Sequence, residues 1–181
     1  MRTSVIRIAL AAVLLVCFAV VGTASASADS TTCSASGTIK LSPGLSNEPT
    51  VQNVQIKAAL SGCESVESEV TSGKINAHFK TAEPISCATL KGAGVGAAAE
   101  ENKIILKWKP HGLGNSQGTA SLPITEVPGA LLTGSIAEGP FSEDAISGSL
   151  SQSYTGGPTC GEGVKPKKVK KGTVAGTLTV S

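Results

Sequence analysis

The sequence predicts an all-β protein: an antiparallel β-sandwich or β-barrel-like domain of about eight or nine strands, with two disulfides. Three observations predict it. Apolar and polar residues alternate at period two along most of the chain, turn residues separate the alternating runs, and an even set of cysteines follows an export-type leader.

The leader comes first. Arg2 and Arg7 precede an uncharged apolar run, Ile8–Val21, and the small residues Ala24-Ser25-Ala26-Ser27-Ala28 follow it. That layout is a secretory signal peptide with cleavage expected after Ala28, and the run is too short to favour a spanning helix. Cys17 follows Val16 rather than a small residue, so it is not read as a lipidation site. Residues 1–28 are therefore expected to leave, and 29–181 to form a single secreted β domain, extracellular or cell-wall associated, with no transmembrane segment.

The strands follow in order. Ile39 and Leu41 share one face. Val54, Ile56, Ala58 and Leu60 alternate with Gln55, Lys57 and Ala59. Ile75, Ala77 and Phe79 alternate with Lys74, Asn76, His78 and Lys80, and Ile104, Leu106 and Trp108 alternate with Ile105, Lys107 and Lys109. Further series are Ala120-Leu122-Ile124, Leu132-Gly134-Ile136, Ile146-Gly148-Leu150 and Val174-Gly176-Leu178-Val180. Period two repeated this often marks half-buried antiparallel strands. Pro43-Gly44, Pro128-Gly129, Gly139-Pro140 and Gly156-Gly157-Pro158 separate them. The one helical candidate is the Ala-rich stretch Ala97–Glu101. Gly37, Gly73, Gly134, Gly148 and Gly176 each open a Gly–polar–aliphatic triplet inside a strand, which predicts sharp bends or close backbone approaches and hence curved sheets.

Four cysteines remain after the leader: Cys33, Cys63, Cys87 and Cys160. Their spacing fits no zinc pattern, and an exported chain uses an even set as disulfides. If the first two runs form a hairpin around Ser42–Pro49, Cys33 and Cys63 fall opposite each other at its open end. Cys87 and Cys160 pair by elimination.

Composition narrows the function. Of 15 basic residues the two arginines leave with the leader, so 13 lysines balance 13 acids. A neutral chain without arginine is a poor reader of nucleic acid, and none is expected as a partner. No cofactor or metal site is expected either. His78 and His111 are too few for a three-histidine zinc site, and Glu64, Glu67 and Glu69 lack the spacing of a calcium loop. Gly114-Asn115-Ser116-Gln117-Gly118 has the form of a nucleophile elbow, but no helix-forming segment or later histidine follows it. Glu100-Glu101 and Glu143-Asp144 are adjacent pairs, which point apart on a strand and cannot flank one glycosidic bond. Leu122-Pro123-Ile124-Thr125-Glu126 lacks the final glycine of a sorting signal and reads as a strand with an edge proline. Trp108 is in register with Ile104 and Leu106 and reads as core.

The basic run is the sharpest charge feature. Lys165, Lys167, Lys168, Lys170 and Lys171 hold five lysines in seven residues. Such a run is first a solvated loop guarding the edge of the last strand, and second a candidate contact for anionic envelope polymers.

The order Cys33, Ser42-Pro43-Gly44-Leu45, Gly62-Cys63, Thr71-Ser72-Gly73, Ser86-Cys87-Ala88-Thr89-Leu90, Trp108, Thr133-Gly134, Cys160 resembles a group of uncharacterised secreted actinobacterial β-proteins with four cysteines and an SPGL turn after the first strand. The resemblance implies a secreted sandwich or barrel-like domain and no particular activity. An immunoglobulin-like arrangement describes the architecture rather than membership, since Trp108 comes late after Cys87 and Pro158 stands where the corner tyrosine would be. The expected function is a non-enzymatic module that binds an envelope component or another extracellular protein. The alternatives are a secreted hydrolase with an unrecognised site, and an electrostatic tether through Lys165–Lys171.

Overall fold

Alternation and turn chemistry together close a sheet. The computed structural model describes residues 30–66, 69–92, 102–110, 112–156, 160 and 168–181. The expected leader and the Ala97–Glu101 helical candidate lie outside them. The elements are β1 (Thr31–Leu45), β2 (Asn53–Ser65), β3 (Ser72–Lys80), α1 (Cys87–Lys91), β4 (Lys103–Lys109), β5 (Asn115–Ser121), β6 (Ala130–Glu138), β7 (Ala145–Tyr154) and β8 (Val169–Val180). Every strand pairs antiparallel with the next, and β8 returns to β1. The result is an up-and-down barrel, the architecture that removes sheet edges. It is one closed sheet, not the two sheets of a sandwich or an immunoglobulin-like domain.

The apolar residues of each alternating run point inward. Ile39, Ile56, Ile75, Ile104, Leu132 and Leu178 are all buried, and the aliphatic side chains that meet on the axis leave only about 10 Å³ between them. An eight-stranded barrel is just wide enough for side chains to fill it. Outward positions carry mainly Lys, Ser, Thr, Asn and Gln, with scattered Ala and the exposed Leu131, and not the continuous apolar outer band of a lipid-embedded barrel.

The first hairpin carries the predicted disulfide. Thr31 pairs with Ser65 and Thr32 with Glu64, and the register then shifts so that Ser34 pairs with Ser61. Cys33 thus faces two residues, Gly62 and Cys63. Gly62 has φ +56, the left-handed conformation that a bulge of this kind asks of glycine. The bulge brings the cysteine Cα atoms to 4.1 Å, and Cys33–Cys63 closes across it. Cys87–Cys160 is the second bridge, as elimination had it.

The strand glycines lie on the inward face, where neighbouring strands approach closely. A Cβ on Gly118 would sit 1.9 Å from the Ser135 carbonyl oxygen, and one on Gly134 2.2 Å from that of Thr119. These contacts are backbone, which cannot move aside, so β5 and β6 coil tightly because both lack a side chain there.

One expectation is corrected. The SPGL segment is a bend inside β1, not the turn that ends it: Gly44 adopts φ +98, and Leu45 regains a partner in Val169. The helix within the described residues is Cys87–Lys91, a single turn that sequence periodicity did not reveal. The Thr89 hydroxyl accepts from the Ser86 N–H, and Leu90 is fully buried.

Short segments brace the end of the barrel where β1 ends and β8 begins. The Cys87 N–H donates to Ser46, Glu126 N–H to Leu90, and Thr125 Oγ1 to Gly92. Gln52 is wholly buried there. Its side chain accepts from the Gly44 N–H at 2.8 Å and donates to Thr50 Oγ1 at 2.7 Å, which satisfies the bent backbone.

Candidate anion-binding face

The outside of the barrel is divided by charge. Among the described residues, nine of the chain's 13 lysines lie in strands: Lys40 on β1, Lys57 on β2, Lys74 and Lys80 on β3, Lys103, Lys107 and Lys109 on β4, and Lys170 and Lys171 on β8. These five strands are contiguous, in the order β8-β1-β2-β3-β4, and all nine lysines are exposed. β5, β6 and β7 contain no lysine. There the outward residues are mainly hydroxyls, among them Ser147, Ser149, Ser151 and Ser153, and they continue onto β8 and β1, where Thr32 and Thr179 are hydrogen-bonded at 2.9 Å.

Register sets like charges side by side. Lys171 pairs with Lys40 and Lys74 with Lys107. Their other cross-strand neighbours are neutral: Gln55 beside Lys40, Ala59 beside Lys74, Asn115 beside Lys107, and Thr38 and Asn76 on either side of Lys57. Gln55 Nε2 and His78 Nε2 lie within hydrogen-bonding distance at 3.3 Å. Like charges directly opposite each other destabilise a sheet, so this face carries an electrostatic cost that an acid at any of these positions would relieve.

A groove of about 530 Å³ runs across the start of this face, lined by Lys40, Lys80, Lys170, Lys171, Asn53 and His78 among others. Lys170 and Lys171 are therefore strand residues. β8 is paired on both sides, so the expectation that the run forms a loop guarding a free edge is corrected for these two. Lys168 stands exposed just before β8, and Lys165 and Lys167 lie outside the described residues. Alternation alone turns Lys57, Lys74, Lys80, Lys107 and Lys109 outward; only the strand register gathers them on one face.

The motifs with a catalytic look take structural places. Ser116 is fully buried; its hydroxyl accepts from the Trp108 indole N–H at 2.8 Å and donates to the Pro140 carbonyl. Both hydrogen-bonding roles are occupied inside the core. Trp108 is buried and meets Phe141 edge-on at 5.3 Å. Leu122, Ile124 and Thr125 are buried between β5 and β6, against the end of α1. Glu143 and Asp144 form the β6–β7 turn, with Glu143 at φ +79. His111, Glu67, Glu100 and Glu101 lie outside the described residues, among which no group of three His, Cys, Asp or Glu side chains could hold a metal.

Among the described residues one titrating group is strongly perturbed. Burial, and then the nearby Glu126 carboxylate, hold the Tyr154 hydroxyl protonated far above the ordinary tyrosine range. That hydroxyl donates to Gln152 Oε1 at 2.6 Å, Gln152 Nε2 donates to the Pro123 carbonyl at 2.6 Å, and the Tyr154 N–H donates to Glu126 at 2.9 Å. This network pins the β5–β6 connection to β7.

The chain was compared with protein-family models, curated proteins and solved structures, and it matches none of them.

Proposed function

We propose that this protein is a secreted, non-enzymatic β-barrel module that binds an anionic component of the cell envelope through the outer face of β8, β1, β2, β3 and β4. The leader, the disulfides and the balanced net charge support the extracellular part of that reading. The observation that carries the binding part is the segregation of the nine strand lysines onto five adjacent strands, with Lys40–Lys171 and Lys74–Lys107 in direct opposition. Stability alone favours mixing these charges with acids. A polyanion neutralises them together and releases its own counterions.

The test is retention on washed envelope fragments of the source cell, followed across a salt series. The chain from Asp29, which holds the whole barrel, is expected to bind at low salt and elute as salt rises. A Lys40→Gln, Lys57→Gln, Lys74→Gln, Lys107→Gln variant is expected to wash off at low salt. Equal retention of this variant and the parent overturns the proposal.

A further inference from the structure

The lysines are not scattered over the face; they form a diagonal. Lys40 pairs with Gln55, so Lys57 lies one strand over and one outward position down. Lys57 pairs with Asn76, so Lys74 repeats the step on β3. Ser72 pairs with Lys109, so Lys109 repeats it on β4. Strands are about 4.8 Å apart and alternate residues about 6.8 Å apart, so each step is about 8 Å. Lys171 extends the upper end beside Lys40, and Lys107 doubles the charge beside Lys74.

Three recesses follow this line. The groove at Lys40, Lys170 and Lys171 is the first. A second, of about 510 Å³, is bordered by Lys57, Lys74 and Lys107, and a third, of about 250 Å³, by Lys74, Lys107 and Lys109. Consecutive positions on the track are thus bridged by shared lysines in its lower half. Between them stand Thr38, Gln55, Asn76 and Ser72, small polar groups suited to the uncharged linkers of a polymer.

From this spacing we infer, resting on the anion-binding reading above, that the ligand is a linear phosphodiester polymer lying along Lys40–Lys57–Lys74–Lys109. An extended chain covers about 3.5 Å per three backbone bonds, so a six-bond repeat of one phosphate and a three-carbon linker spans about 7 Å, close to the lysine step. Inorganic polyphosphate packs its charges far more densely. Nucleic acid has a comparable phosphate spacing, but single strands are held by stacking bases on aromatic side chains. The aromatic residues of β3 and β4, Phe79 and Trp108, both point into the barrel. Lysine, a point charge on a flexible stem, suits phosphates that rotate, whereas arginine would demand a fixed two-pronged geometry.

The experiment is fluorescence anisotropy with poly(glycerol phosphate) of one, two, four and eight repeats. Inorganic polyphosphate, oligo(dT) and vesicles containing phosphatidylglycerol serve as comparison probes. Affinity is expected to climb steeply up to about four repeats and then level off. Lys57→Gln with Lys74→Gln is expected to weaken binding about tenfold and to lower the salt slope by about 2, while Lys91→Glu, the same loss of net charge on α1 and off the face, changes it less than about twofold. If Lys80→Gln with Lys103→Gln, on the face but off the track, weakens binding as much as the track pair, the track is overturned while the anion-binding face stands; if Lys91→Glu does so too, the face falls with it. Tighter binding to polyphosphate, oligo(dT) or vesicles overturns the polymer assignment. Absence of binding to every probe overturns the inference and the proposed function together. Circular dichroism of each variant confirms that the barrel is intact.

Discussion

Lys74 on β3 and Lys107 on β4 stand directly opposite each other on the outside of the barrel, and the neighbours beyond them, Ala59 and Asn115, are neutral. Replacing Lys74 by Glu turns a repulsive pair into an attractive one. The variant is expected to gain about 0.5 kcal/mol in stability at low salt, measured by chemical denaturation, with the gain shrinking as salt rises. The same variant is expected to lose affinity for anionic polymers. A residue that stabilises the barrel when changed and weakens binding at the same time is one retained for binding. Loss of stability in the variant contradicts this account.

Gly118 stands where β5 and β6 touch. Gly118→Ala forces a Cβ to within 1.9 Å of the Ser135 carbonyl oxygen, which belongs to the sheet and cannot yield without breaking register. The expected loss is about 3 kcal/mol or failure to fold, read from thermal melts and from the yield of oxidised protein. Gly92→Ala is the control. Its new Cβ meets nothing nearer than 3.9 Å, and the melt should move little.

Ser116 links Trp108 to Pro140 within the core. Ser116→Ala leaves a buried indole N–H without its acceptor and a carbonyl without its donor, so stability should fall by about 2 kcal/mol. A fluorophosphonate probe for activated serines should leave the parent protein unlabelled. Stoichiometric labelling at Ser116 would restore the hydrolase alternative.

Tyr154 makes stability depend on alkaline pH. Its folded-state pKa lies above the unfolded value of about 10, so the folded state holds its proton where the unfolded state releases it. The contribution is complete below about pH 10 and is lost as pH rises beyond it. Denaturation midpoints should therefore be flat up to about pH 9 and fall above. Tyr154→Phe should flatten the alkaline limb while lowering stability throughout, because it also removes the hydrogen bond to Gln152. An alkaline limb of unchanged slope in that variant assigns the dependence to other groups.

The strands were legible because burial on one face writes itself directly into period two: Val54-Ile56-Ala58-Leu60 and Ile104-Leu106-Trp108 are inward without exception. The Cys33–Cys63 bridge was legible too, since an antiparallel hairpin makes opposed positions a matter of counting. The one-residue bulge at Gly62 leaves that count valid at the cysteines, where Thr32 still faces Glu64. The lysine face was only half legible. Alternation shows that Lys57, Lys74 and Lys107 point outward. That they form one track depends on the register of three strand pairings, and a slip of a single residue would scatter them. α1 escaped notice because one turn of helix has no period to detect. The polar bonds of Ser116, Gln52 and Gln152 were equally silent: Ser116 reaches Pro140 and Gln152 reaches Pro123 across intervening strands, and Gln52 meets Gly44 only because β1 bends there.

Because β8 is sewn to β1, with Thr31 against Val180, the fold has a seam that joins its first and last described strands. No shorter piece of the chain is a closed object, and every hairpin made earlier waits with an open side until the last strand arrives. Long-range pairing of this kind folds slowly, because the entropy of bringing distant segments together is lost before any contact is gained. Any piece that lacks Val169–Val180 leaves β1 and β7 as open edges, so the arrival of β8 is the step that shuts the barrel and shields both at once.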